Sequence, residues 1–378
     1  MINKIFVLTI AATMLMACKK EGCTDATATN YNDNAKKDDG SCTYANSDGV
    51  SYTVPTTYVF KDVNGNSTVS YDGQIDRLTQ LEEMVVVMKS GTDGPVSAQL
   101  LLDMYSNTGN NFSFASSKQL EDKTFTNDVQ MFKDWMADLA TASNDFAQVA
   151  STGQAGVLIS GSSKYLFNAN GYEPVQLIEK GLMGAVFMNQ AVNGYFSDAK
   201  MNVDNTVAVD AANGKHYTAM EHHFDEAFGY FGVASDFPSS IPNSFWGKYC
   251  NNRDADLNSN SVMMNNFLKG RAAISNNDMA NRNAAIQNIR VMWETISAKQ
   301  AVAYLNSAVG NLINDKAKAF HALSEAYAFA WNLRYAPLET RRMSVSEHAA
   351  LMAQFPTNMW DITVADINAI VGTIEAKF

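Results

Sequence analysis

The seven prolines of this chain stand at 55, 95, 174, 238, 242, 337 and 356, so the spans 96–173 and 243–336 hold none. A proline inside a helix removes an amide donor and collides with the preceding turn, which costs about 3 kcal/mol. Two long spans are therefore open to helices, and apolar residues at helical spacing fill much of them. Leu78, Leu81, Val85 and Met88 predict a helix that stops at Gly91, and Val129, Phe132, Trp135, Met136 and Leu139 predict one that starts near Asn127. Pro174 suits the first turn of a long apolar helix carrying Val175, Ile178, Leu182, Ala185, Val186 and Met188. Gly181 and Gly184 lie inside it, where small residues admit a close neighbour. The spans 279–312 and 315–335 read as two long helices and 363–376 as a last one, and Ser344 with Glu347 matches a capping box. No short repeat appears, which argues against a solenoid. The pattern from about residue 72 onward is all-α.

The N-terminal part is different. Lys4 precedes an apolar run from Ile5 to Met16, too short to span a bilayer, and Leu15-Met16-Ala17 leads into Cys18. This order resembles a bacterial lipobox. It implies a signal peptide over 1–17, removal of that segment, lipidation of Cys18 and a chain held at a membrane by acyl groups. Cys23 and Cys42 bracket a polar stretch rich in Asn and Asp, in a tether over 18–50, and are expected to pair, as befits an oxidising compartment. Asn30, Asn32, Asn34, Asp38 and Asp39 could furnish oxygens for calcium, although their spacing is not that of an EF-hand. Cys250 is left over and expected to be buried. Tyr52, Val54, Tyr58 and Phe60 alternate briefly, which allows one or two short strands between 51 and 70. The net charge of −11 argues against nucleic acid as a partner.

The stretch 216–232, HYTAMEHHFDEAFGYFG, gathers three of the five histidines with Glu221, Asp225 and Glu226 among aromatic residues. Polar groups held against an apolar surface are costly unless paired or metal-bound. Wound as one helix, the stretch places Tyr217, Met220, Phe224, Ala227, Phe228 and Phe231 towards the core. His216 and His223, seven apart, share one flank, and Glu226 follows His223 by three. A His-x-x-Glu pair can send imidazole and carboxylate to one point, as helix bundles do when they build metal sites. The expected ligands are His223 and Glu226, with His216 third and Glu221 or Glu325 contributing. His222 and Asp225 are expected to face solvent. Imidazole with carboxylate suits iron(II), zinc or manganese.

A second group lies at 315–335: His321 and Glu325 share a face, either as a site or as an exposed ion pair, and Arg334 needs a carboxylate from Glu325, Glu226 or Glu179. Arg271 is a further candidate anion clamp, and His348 is expected at the surface. No zinc-protease His-Glu-x-x-His sequence, nucleophile elbow or phosphate-binding glycine loop occurs; Gly161-Ser162-Ser163 reads as a polar loop.

The runs EHHFDEAFGYFG, LIEKGLMGAVFMNQAV at 177–192, GRAAI at 270–274 and HALSEAYAFAWNLRY at 321–335 resemble a group of bacterial lipoproteins similar to the imelysin family. The resemblance covers about residues 52–378. It implies an all-α domain over 51–378 built from two four-helix-bundle halves. It also implies a Gly-x-His-x-x-Glu motif and residence in the cell envelope, at the outer membrane of a Gram-negative bacterium, with a link to iron uptake and a metal-uptake receptor as partner. Its His and Glu fall on His223 and Glu226, while Glu221 stands where the glycine is expected. An alternative alignment uses Gly214 and His216 but meets Ala219 in place of Glu. Members have also been classed as metallopeptidases, which would make Glu226 or Glu221 the base activating a metal-bound water. The remaining reading is a non-catalytic surface accessory protein with a buried polar network.

Overall fold

The computed structural model describes residues 20–378, so the signal segment 1–17 and Cys18 lie outside the described residues. Two compact units are distinguished, one ending at Val54 and the other spanning Pro55–Phe378. In the first, β1 (Thr43–Ala45) pairs antiparallel with β2 (Ser51–Thr53), and Tyr44 stacks on Tyr52 across the pair with ring centres 5.7 Å apart. Because β2 pairs with β1, this unit runs past residue 50 to Val54. Cys23 and Cys42 form the expected disulfide, with Cα atoms 4.8 Å apart. Asn30, Asn32, Asp38 and Asp39 each accept a backbone N–H through a side-chain oxygen, which fastens the turns of a loop with little apolar core.

The second unit is helical, as the spacing predicts. After an extended segment over 55–70 come α1 (Asp72–Lys89), α2 (Ala98–Tyr105) and α3 (Val129–Ser143). The helix α4 (Pro174–Leu182) begins at its proline and continues in wide π-type turns over Met183–Met188 and Gln190–Tyr195. Short α5 (Asp198–Met201) precedes α6 (Ala219–Phe231), α7 (Phe245–Asn252), short α8 (Asp254–Leu257) and α9 (Ser259–Ser275). The long α10 (Met279–Asn311) and α11 (Lys316–Asn332) follow, then α12 (Val345–Met352) and α13 (Val364–Glu375). Ser344 and Glu347 form the expected capping box at α12.

Helix α10 packs on α9, α11 and α13, while α11 packs on α4 and α4 on α3. Helix α9 also meets α6, and α6 meets α1 and the π-type continuation of α4. Pro55–Phe378 holds together as one helical unit. The close approach expected at Gly181 and Gly184 is present. A Cβ at Gly181 would lie 2.8 Å from the Phe132 ring, and one at Gly184 would overlap the side chain of Asn332.

A hairpin in the first proline-free span departs from expectation. β3 (Gly156–Ser160) and β4 (Ser163–Phe167) pair antiparallel, and Gly161-Ser162 is their two-residue turn. Gly161 has φ +59°, a left-handed conformation that glycine adopts without strain. Gly161-Ser162-Ser163, expected as a polar loop, closes a hairpin instead. Cys250 is buried and free, as expected, and burial pushes its thiol up to about 12.

Candidate functional site

Helix α6 is placed by a capping box and an aromatic face. The Thr218 hydroxyl accepts the Glu221 N–H at 3.2 Å, and Glu221 Oε2 accepts the Thr218 N–H at 2.9 Å. Gly232 closes the other end in the left-handed conformation at φ +71°. Phe224, Phe228 and Phe231 pack around Phe267 of α9, and Phe231 also meets Trp293 of α10. Each such ring contributes about 1.5–3 kcal/mol by leaving water.

The cap also corrects the expected ligand set. The helix starts at Ala219, so His216 precedes it and shares no face with His223. His216 instead pairs with Asp62, Nδ1 to Oδ2 at 3.5 Å. Glu221 is likewise committed, since its Oε1 accepts from Arg271 Nη1 and from Ser275 Oγ, both at 2.7 Å. Asp225, expected in solvent, is 0 % exposed and bonds to Arg271 Nε at 2.9 Å, to the Tyr58 hydroxyl at 2.8 Å and to the Ser70 N–H at 3.2 Å. Complete burial lifts Asp225 to about 6, although Arg271 and Tyr58 pull it the other way. Arg271 completes its set of acceptors with the Thr68 carbonyl and hydroxyl and lies over the Phe60 ring. It is an anion clamp for the protein's own carboxylates: it fastens 58–70 to α6 and α9.

What remains at the edge of α6 converges on Glu226. Its Oε2 lies 3.1 Å from His223 Nδ1 and its Oε1 lies 3.9 Å from His222 Nε2. Gln74 of α1 donates to Oε1 at 3.1 Å and, through the same nitrogen, to the Tyr195 hydroxyl at 3.1 Å. Tyr195 ends the π-type continuation of α4, and its ring lies over His223 at 6.3 Å. Burial pushes Glu226 up, but hydrogen bonds from His223, Gln74 and Tyr195 outweigh it, so the acid sits below its ordinary range. An ionised carboxylate only accepts, which assigns the proton on His223 to Nδ1.

His222 does not point outward as expected. It stacks on Tyr217 with centres 4.6 Å apart, and its Nδ1 lies 3.0 Å from the Ser70 carbonyl. A carbonyl can only accept, so Nδ1 bears the hydrogen. Burial lowers the His222 pKa, which favours the neutral ring, and in that form Nε2 carries a lone pair 3.9 Å from Glu226 Oε1. The side chains of His222, His223 and Glu226 are 30 %, 17 % and 16 % exposed, so the group is half-sheltered and reachable. Among the described residues no three His, Cys, Asp or Glu side chains are already arranged to hold a metal ion.

The other candidates also differ from expectation. Arg334 pairs with Asp128 at 3.0 Å, not with Glu325, Glu226 or Glu179, and lies over the Trp331 ring. His348 is buried, with Nε2 3.1 Å from the Ala330 carbonyl, because α12 packs against α11. His321 and Glu325 are not an exposed pair but part of a mostly buried cluster with Glu173 and Lys180. Sequence reasoning missed Ser70, Gln74 and Tyr195, which come from distant elements. It also missed the signal that excluded His216: Thr218-Ala219-Met220-Glu221 is a capping-box sequence.

No helix among the described residues is long and apolar enough to cross a membrane. No curated protein and no solved structure matches the chain. A family model described as a domain of unknown function, DUF4856, matches residues 55–378, the whole of the helical unit, and the chain belongs to that family.

Proposed function

We propose that this chain is a lipid-anchored protein of the cell envelope that captures a divalent metal ion for uptake. The capturing groups are His222 and Glu226, with His223 holding the other carboxylate oxygen through its Nδ1–H. The supporting observation is the orientation of His222. Its Nδ1–H is fixed on a backbone carbonyl, and its lone-pair nitrogen faces a carboxylate oxygen across 3.9 Å. Two acceptors facing each other repel unless a proton or a cation lies between them. Metal-binding histidines are oriented in this way, with the far ring nitrogen donating to a carbonyl. Bonds of about 2.0–2.2 Å from nitrogen and from oxygen can bridge such a gap.

The donor set, imidazole with carboxylate, suits zinc, iron(II) or manganese. Two protein ligands at a half-sheltered edge leave coordination positions for water or a chelator, which fits an ion that is taken up and passed on. Glu221 and His216 take no part. The commitment of Glu221 to Arg271 also removes one of the two candidate bases for a peptidase. A lipidated Cys18 would hold the protein at the outer membrane, beside a receptor for metal chelates.

Titration of zinc or iron(II) into untagged, metal-free protein tests the reading, with His222→Ala, Glu226→Ala and the control His216→Ala. One equivalent bound by wild type and by the control, with affinity lost in the other two variants, is expected. Equal binding by all four proteins, or none by wild type, overturns it. In the latter case the group is a polar network only.

A further inference from the structure

Between α4 and α11 lies a chain of five ionisable side chains in which acids and bases alternate. Glu173 Oε2 is 2.6 Å from His321 Nδ1, and His321 Nε2 is 3.4 Å from Glu325 Oε2. Glu325 Oε1 is 3.8 Å from Lys180 Nζ, which is 2.5 Å from Glu179 Oε1. Tyr304 of α10 hydrogen-bonds Glu325, and Tyr249 of α7 lies 3.5 Å from the Tyr304 hydroxyl. Lys248 of α7 and Lys89 of α1 add positive charge near Glu179, and the ring of Tyr165 in β4 lies 4.5 Å from His321.

The ring of His321 lies between two carboxylates, Glu173 and Glu325, while Lys180, Lys89 and Lys248 stand nearer Glu179. Glu179 Oε2 and Gln176 Oε1 are buried without a hydrogen-bond partner among the described residues. With Nδ1–H directed at Glu173, a neutral His321 would turn the lone pair of Nε2 towards Glu325. We infer that His321 and Glu325 together bind one proton, and that this proton staples α4 to α11. Carried on the ring it makes an imidazolium between two carboxylates; carried on Glu325 it makes an acid donating to the ring. Either way one hydrogen bond replaces a repulsion between acceptors in a site shielded from water.

The titration of both groups agrees. Burial pushes His321 down, but the charge and hydrogen bond of Glu173 and the charge of Glu325 raise it above its ordinary 6.5. Burial raises Glu325, and Lys180 and His321 offset this only in part. A folded pKa above the unfolded value gives stability that is present below the unfolded pKa and lost as pH rises through the folded one. His222 and His348 are lowered by burial and act in the opposite sense, below pH 6.5.

The test is urea unfolding of the full chain between pH 6 and 9, wild type against His321→Gln. Loss of one bound proton raises the unfolding constant of wild type by up to tenfold per pH unit above pH 6.5. The variant is expected to lack that increment over the same range. Identical pH slopes in the two proteins would overturn the inference. Should the variant not fold, the His321 ring resonance of wild type followed by NMR decides the question: a midpoint above 6.5 supports the shared proton and one at or below 6.5 refutes it.

Discussion

Replacing Arg271 with methionine should be among the most damaging single changes in the helical unit. Its guanidinium donates to Asp225, Glu221, Ser275 and Thr68 through bonds of 2.6–3.0 Å. Methionine fills much of the space but leaves two buried carboxylates without a counter-charge. Breaking a buried ion pair from one side costs about 3–5 kcal/mol. Unfolding entropy of about 2.1 cal/mol/K per residue over the residues of this unit makes 1 kcal/mol equal to about 1.5 °C, so the expected fall in Tm is about 4–7 °C. The assay is urea unfolding at pH 7.5 and pH 5. Asp225 already stands at about 6 with the arginine present. Without it the carboxyl protonates more readily, so the deficit should shrink at pH 5. Adding Asp225→Asn to Arg271→Met should recover part of the loss, since an amide leaves no buried charge. A loss below about 1 kcal/mol, or a double variant no more stable than Arg271→Met alone, would refute the clamp.

Three further outcomes are expected. Thr218→Ala removes one half of the capping box of α6 and should cost about 0.5–2 kcal/mol in urea unfolding. Gly184→Ala drives a methyl group into Asn332, whose amide donates to the Lys180 carbonyl at 2.9 Å, and should lower stability by about 1–3 kcal/mol in the same assay. Cys23→Ser with Cys42→Ser releases a loop whose closure is worth about 3 kcal/mol. Limited proteolysis should then cut within 23–42 at a rate that reduction no longer changes.

The helical architecture was legible because proline positions and apolar spacing act locally. Pro174, the row from Leu78 to Met88 and the Ser344–Glu347 cap each mark an element that needs no distant partner. The hairpin at 156–167 was missed because its short apolar run is ambiguous alone, although a Gly-Ser turn between two such runs is a hairpin signal. At the site, the His223–Glu226 pair follows from helical spacing and was legible. The place of His216 was misread because the wheel was wound through Thr218, where the chain is not yet helical. Asp225 was put in solvent because its partners, Tyr58, Ser70 and Arg271, come from segments 167, 155 and 46 residues away. A histidine's tautomer depends on such distant groups too, and the Ser70 carbonyl that orients His222 lies 152 residues upstream.

X-ray absorption at the zinc edge, on untagged protein loaded with one equivalent of zinc, tests the metal reading most directly. The account predicts nitrogen and oxygen neighbours at about 2.0–2.2 Å, with the multiple-scattering signature of imidazole, and loss of that signature in His222→Ala. A first shell of oxygen alone, or an imidazole signature unchanged in His222→Ala, would contradict it.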